Sequence, residues 1–357
     1  MAQLRARDYG VTVGELPAGP RNKITDVPGL TVGHCTVDTG EHKTGVTVVL
    51  PSAQNPFVHK LPAAGFVLNG FGKTAGLVQV EELGTLETPI ALTNTLNVGL
   101  VHDAMVEYML GRCAGEGIDL ESVNPVVCEC NDGGLNHIQR RAVGREQVFA
   151  ALAAAAPAFD EGDVGAGKGM VCHGLKGGIG SASRTLELDG RTYTLGALVL
   201  ANHGRLSDLT VNGRRVGLEI EAAKAAKTSD VGSCIVILAT DLPLDSRQLG
   251  RTARRACVGL ARLGSFVGHG SGEVFLAFST ANAFDPREKA ATRTVTAFQE
   301  NQMDLPFRAA AECTEEAVLN CLFTARTVTG WNGKTVYALS SLEIDWENRP
   351  PVTGTGR

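Results

Sequence analysis

Residues 233–239 read Ser-Cys-Ile-Val-Ile-Leu-Ala, an apolar, β-branched run with no charge in it. Such a run reads as a buried strand, and a strand with no polar face needs cover on both sides. Related runs recur at 43–50, 64–68, 89–93, 125–130, 193–201 and 272–278, and residues 24–33 and 170–174 also read as strands. Helical periodicity lies between them. It is found at 76–83, at 98–111 with Val101, Met105 and Tyr108 on one face, and at 145–157, which is rich in alanine. It returns at 244–263, and at 314–326, where Ala317, Val318, Cys321 and Leu322 share a face. No residue run reads as a linker and no repeat is evident. The expectation is an α/β fold with helices covering the sheets, in a single domain spanning 1–357.

The 43 glycines in 357 residues exceed the usual ~7% share, and they are scattered among the apolar runs. They therefore point to tight turns and close backbone approaches. The formal net charge of −5 comes from well-mixed charges with no basic stripe, so no nucleic-acid partner is expected. The nine cysteines are odd in number and mostly sit in apolar surroundings, which fits reduced, buried thiols in a cytoplasmic protein. There is no Cys-x-x-Cys pair and no His-Glu-x-x-His, so neither a structural nor a catalytic metal is expected. The N-terminus lacks a signal-peptide core, and no apolar run reaches the ~18 residues of a membrane span. Gly162-Asp-Val-Gly-Ala-Gly-Lys168 imitates a phosphate loop, but Gly169 stands where a hydroxyl must hold magnesium. Phe71-Gly-Lys-Thr74 lacks the first glycine of that loop, so no nucleotide cofactor is expected.

The small polar stretch Lys227-Thr-Ser-Asp-Val-Gly-Ser233 leads into the buried run. A Gly232–Ser233 bond at a strand mouth is where a self-cleaving chain would break, leaving Ser233 with a hydroxyl and a free α-amine on one residue. The same bond also reads as a turn entering a strand. Ser271-Gly-Glu273 places a hydroxyl and a carboxylate at another strand mouth, where they serve either a shared site or a polar turn. Asn202 ends the run 196–202 and either donates to a developing oxyanion or caps the following turn. Asp241 and Asp245 flank Pro243 and read as turn and helix-cap residues.

Taken in order, these pieces resemble a known family. They begin with Asn22-Lys-Ile-Thr-Asp-Val-Pro-Gly-Leu-Thr-Val-Gly33, Thr93-Asn-Thr-Leu-Asn-Val-Gly99 and Asn131-Asp-Gly-Gly-Leu-Asn136. They continue with Gly169-Met-Val-Cys-His-Gly-Leu-Lys-Gly-Gly-Ile-Gly-Ser-Ala-Ser-Arg184, Val231-Gly-Ser-Cys-Ile-Val, Ala239-Thr-Asp-Leu-Pro-Leu244 and Gly270-Ser-Gly-Glu273. The set, spread over nearly the whole chain, resembles the autoprocessed N-terminal-nucleophile aminopeptidases of peptidase family S58, which include L-aminopeptidase D-amidase/D-esterase and the β-peptidyl aminopeptidases.

The resemblance implies a four-layer αββα sandwich, a homotetramer, and cleavage into 1–232 and 233–357. It implies that Ser233 forms an acyl-enzyme, with Asn202 stabilising the oxyanion and Ser271 and Glu273 supporting the hydroxyl and the amine. The implied substrates are N-terminal aminoacyl amides, esters and small peptides. One position departs from the better-known members: Gly134 stands where they carry a tyrosine near the substrate.

Nylon-oligomer-type amidases and ornithine acetyltransferases share the fold, but they use threonine where this chain has Ser233. An unprocessed, non-catalytic binding protein is the alternative from another class.

Overall fold

The computed structural model describes residues 3–224 and 232–346; residues 227–231 of the approach to Gly232 lie outside it, as do Met1 and Ala2. The strands are β1 Thr31–Asp38, β2 Lys43–Leu50, β3 Leu61–Gly70, β4 Thr85–Leu86, β5 Ile90–Asn94, β6 Val126–Cys130, β7 Val171–Cys172, β8 Leu175–Lys176, β9 Gly178–Leu188, β10 Arg191–Asn202, β11 Ser233–Thr240, β12 Gly272–Ser279, β13 Val328–Thr329 and β14 Thr335–Val336. The helices are α1 Leu77–Leu83, α2 Val98–Gly115, α3 Arg145–Ala153, α4 Val216–Lys224, α5 Ser246–Arg254, α6 Ala256–Arg262 and α7 Asp304–Thr324.

Two large sheets form, with strand orders β1-β2-β5-β6 and β4-β3-β12-β11-β10-β9. Their unbroken apolar runs are explained by cover on both faces. In β2, Val48 packs with Val101, Met105, Val148 and Ala151 of α2 and α3, while its neighbour Val49 faces the second sheet. In β11, Ile235 and Ile237 face the first sheet, while Val236 and Leu238 pack in the cluster that includes Cys313, Ala317 and Val318 of α7. The layers therefore run helix, sheet, sheet, helix. Full burial of each such side chain contributes about 1.5–3 kcal/mol, which is why the pattern dictates the layering.

Glycine sets how closely the outer layers approach. A Cβ on Gly180 of β9 would lie 1.9 Å from the Ala317 carbonyl oxygen of α7. One on Gly33 of β1 would lie 2.0 Å from the Ala151 carbonyl oxygen of α3. In both cases a helix backbone rests directly on a strand backbone.

Several elements differ from the sequence reading. Residues 24–26 form a 3-10 turn, and β1 begins only at Thr31, beyond Pro28-Gly29. The 244–263 helix is two helices, α5 and α6, meeting at Arg255. Helix α7 starts at Asp304, ten residues before the expected Thr314. Its Pro306 lies in the first turn, where backbone N–H groups have no intrahelical acceptor to lose. The glycine- and serine-rich stretch after Gly177 is the long strand β9, which tolerates small residues because α7 lies on it.

A buried ionic network ties the N-terminal segment and β9 to α7. Arg184 reaches Glu312 at 3.0 Å and Glu316 at 2.7 Å, and Arg7 reaches Glu316 at 2.6 Å. No helix among the described residues is long and apolar enough to cross a membrane.

Candidate active site

Three strand ends meet at Ser233. It opens β11, pairs with Asn202 at the end of antiparallel β10, and pairs with Gly272 at the start of parallel β12. Directly paired residues carry their side chains on the same face, so Ser233 and Asn202 point the same way. Both line a cleft of about 670 Å³, together with Gly232, Gly134, Glu129 and Lys73.

The Asn202 carboxamide is held at both ends. Its Oδ1 accepts from the Val171 N–H at 2.8 Å, and its Nδ2 donates to the Asn131 carbonyl at 3.0 Å. These partners are distant in sequence, so the side chain clamps two loops and does not cap its own turn. An amide nitrogen carries two hydrogens, and the Asn131 carbonyl takes one of them. The loop that supplies Val171 is itself pinned by Lys176. This fully buried ammonium donates to the carbonyls of Gly167, Met170 and Gly177 at 3.0, 2.6 and 2.7 Å. Burial pulls its pKa down to about 8.

Backbone contacts around the Gly232–Ser233 bond require glycine twice. The Gly232 carbonyl accepts from the Gly272 N–H at 3.1 Å. A Cβ on Gly232 would lie 1.7 Å from the Asn202 carbonyl oxygen. A Cβ on Gly272 would lie 2.3 Å from the Phe71 carbonyl oxygen and 3.3 Å from Ser233 Oγ.

The Ser271 hydroxyl donates to Glu273 Oε1, and both residues are buried, which sets the pair apart from a solvated turn. The Ser271 carbonyl accepts from Asn69 Nδ2 at 2.6 Å. The pair lies behind the cleft wall: Gly270 lines the cleft, whereas Ser271 and Glu273 do not. Glu273 is in register with Cys234, one residue past Ser233. Cys234 is fully buried and belongs to the α7-side core, and burial pushes its thiol pKa well up. It is therefore no competing nucleophile, since only the thiolate attacks.

Gly134 borders the cleft, and a Cβ there would meet nothing within 4 Å. The Asn131–Gly134 turn contains Asp132, whose carboxyl is buried. Burial raises its pKa to about 7, against the lowering hydrogen bonds of Thr44 and Asn136. Asp245 is the expected helix cap, whereas Asp241 reaches across to β10. Asp245 caps α5 through the Gln248 N–H at 2.7 Å, and Asp241 accepts from the Thr194 N–H at 2.7 Å.

Glu129 is a site residue that the sequence reading missed. It projects from β6 into the cleft and is 4% exposed. Its Oε1 accepts from the Lys73 N–H at 3.0 Å, and its Oε2 accepts from the Thr95 hydroxyl. No cation pairs with it among the described ion pairs. The signal was one carboxylate inside the otherwise apolar strand 126–130.

The family model of peptidase family S58 matches residues 22–336. The β-peptidyl aminopeptidase BapA of Sphingosinicella xenopeptidilytica is 38% identical over 362 residues, covering 95% of this chain and 89% of its own. A crystal structure of a Pyrococcus horikoshii protein superposes with a TM-score of 0.89 at 46% identity, over 94% of this chain and 96% of the other. The L-aminopeptidase D-Ala-esterase/amidase of Ochrobactrum anthropi, described as a prototype of the serine aminopeptidases and a variant of the Ntn hydrolase fold, superposes with a TM-score of 0.87 at 37% identity. That match covers 94% of this chain and 95% of the other.

Proposed function

The chain belongs to peptidase family S58 and is a hydrolase of the aminopeptidase type, and from that premise we propose that Ser233 is both the self-processing residue and the catalytic nucleophile. The observation that carries this reading is the convergence of Ser233, Asn202 and the Gly272 N–H on one strand mouth, with the Gly232 carbonyl already held by that N–H at 3.1 Å.

In the uncut chain, Ser233 Oγ attacks the Gly232 carbonyl carbon, and the Gly272 donor polarises that carbonyl. The C–N bond breaks, the nitrogen takes the hydroxyl proton, and an ester links Gly232 to Ser233. Water hydrolyses the ester, leaving chains 1–232 and 233–357 held together as one folded domain.

In the processed enzyme the α-amine of Ser233, whose reference pKa is about 7.7–8.0, takes the hydroxyl proton. The Ser271–Glu273 pair behind the strand mouth steadies that amine as it becomes charged. Oγ then attacks the substrate carbonyl, Asn202 Nδ2 donates to the oxyanion, and the leaving amine departs with the proton. Water releases the acyl group. Glu129, buried and without a cationic partner among the described ion pairs, receives the substrate's free ammonium. Gly134 leaves that wall open to the substrate's side chain. The substrates are N-terminal aminoacyl amides, esters and small peptides. The working form is a homotetramer in the cytoplasm, with no cofactor.

Intact-mass measurement of the purified protein tests the reading, followed by assay on L-, D- and β-aminoacyl p-nitroanilides. Wild type should give two chains divided at Gly232–Ser233 and release nitroaniline. Ser233→Ala should stay whole and inactive. An uncut wild type, or an active Ser233→Ala, overturns the assignment.

A further inference from the structure

Beside the cleft, but outside the machinery just described, three buried side chains converge: Cys172, His173 and His203. One thiol and two imidazoles place their ligand atoms within 4.8 Å of one another, and Cys172 Sγ lies 4.0 Å from His203 Nδ1. We propose that these three residues bind a zinc ion, and that the bound ion regulates the enzyme by displacing Asn202.

The donor set favours a borderline-soft ion such as Zn²⁺ over Mg²⁺ or Ca²⁺, which take oxygen ligands. Zinc holds such ligands at about 2.0–2.3 Å, so closing the three atoms onto an ion needs only a small contraction. The orientation of His173 already suits a ligand. Its Nδ1 faces the Arg205 carbonyl at 3.0 Å, and a carbonyl only accepts, so Nδ1 carries the hydrogen and Nε2 the lone pair. His203 supplies a second, independent observation: it is 1% exposed, and its Nε2 has no hydrogen-bond partner among the described residues. Leaving a buried polar atom unsatisfied costs about 1–3 kcal/mol, which an ion held by that nitrogen would offset. The two histidines are also tied through the backbone, His173 N–H to the His203 carbonyl at 2.6 Å, with His173 held at a left-handed φ of 48°. Binding joins Cys172 Sγ to the ion and releases the thiol proton to solvent.

The regulatory part follows from chain neighbours. Cys172 follows Val171, whose N–H holds Asn202 Oδ1 at 2.8 Å, and His203 follows Asn202 itself. Drawing the ligand atoms together pulls on both ends of that clamp. Displacing a catalytic group by ~1 Å can cost about 100-fold in rate. Zinc therefore slows turnover. This part rests on the proposed role of Asn202, whereas the binding part does not.

The test uses the full-length protein, processed as it is isolated, in zinc-free buffer with a non-chelating reductant. Wild type, Cys172→Ser and His203→Phe are each exposed to zinc and desalted, and their metal content is measured. Wild type should retain about one zinc per chain, and the variants little or none. Cobalt in place of zinc should give wild type a thiolate-to-cobalt charge-transfer band that Cys172→Ser lacks. About one equivalent of zinc should slow wild-type turnover by tenfold or more, reversed by chelator, while His203→Phe keeps its own metal-free rate.

Wild type that retains no zinc, or gives no thiolate band with cobalt, overturns the site and leaves the three residues as core packing. Should a variant fail to fold, the wild-type cobalt spectrum still decides. Retained zinc with unchanged turnover, or equal inhibition of His203→Phe, overturns the regulation. If metal-free wild type turns over nothing, the proposed function has failed, while metal content and spectrum still judge the site.

Discussion

Asn202 and Ser233 face each other across the antiparallel pairing of β10 and β11, one closing its strand and the other opening the next. Thirty-one positions separate them in the chain, yet the register makes them direct neighbours at the mouth of the cleft.

Asn202→Ala should lower kcat by about 10²–10³ with a smaller change in KM, because an oxyanion donor acts on charge that appears only in the transition state. Steady-state kinetics on one aminoacyl p-nitroanilide check it. A variant altered only in KM would assign Asn202 to substrate binding.

Gly232→Ala should block processing while leaving Ser233 in place. The added Cβ would sit 1.7 Å from the Asn202 carbonyl oxygen, so the Gly232 carbonyl has to shift away from its Gly272 donor. A denaturing gel should show one band near 37.4 kDa in place of two fragments. Efficient cleavage of this variant would show that the approach to Asn202 is not needed for the reaction.

Glu129→Gln should raise KM for substrates with a free amine and lower kcat/KM by about 10- to 100-fold, the worth of a charge-assisted hydrogen bond. N-acetylated analogues should be affected much less. Equal losses on both substrate types would remove the ammonium from this carboxylate.

Glu316→Ala should destabilise the fold by about 3–5 kcal/mol, because it strands the buried Arg184 without one of its two carboxylates and takes the partner from Arg7. In a processed protein, Arg184 and Arg7 belong to one chain and Glu316 to the other, so the network would fasten the two products together. Urea denaturation and gel filtration of the processed variant measure both effects.

Asp132→Asn should change how stability depends on pH. Burial holds the Asp132 carboxyl near pKa 7 in the fold, above its unfolded value of about 3.9. Between those values the folded state binds more protons than the unfolded one, so stability falls as pH rises through about 7. The asparagine keeps the oxygen that Asn136 Nδ2 reaches at 3.0 Å and loses the titration. The variant should therefore lose less stability than wild type between about pH 5 and 8. Parallel melting curves would discard this account.

Much of the layering was legible in the chain. The run after Ser233 shows no polar face, and the structure gives its two faces to two different cores, Ile235 to one and Val236 to the other. Ser233 itself could be singled out at the head of that run. Strand β9 was harder to read, because its glycines and serines look like loop until α7 rests on Gly180. Glu129 was equally hidden, since a lone carboxylate in a strand gives no sign of whether it faces the core or a cleft.

The sequence by itself determined most of the strands and helices, which of them lack a solvent face, and where a Gly-Ser bond enters the core. Those properties depend on side chains a few residues apart, and local periodicity records them. Only the tertiary structure decided that Asn202 lies opposite Ser233, that Glu129 looks into the same cleft, and that His203 comes to rest against Cys172 and His173. Strand register and sheet stacking are set by burying apolar faces contributed from distant parts of the chain, and no spacing within one segment encodes which partner will bury them.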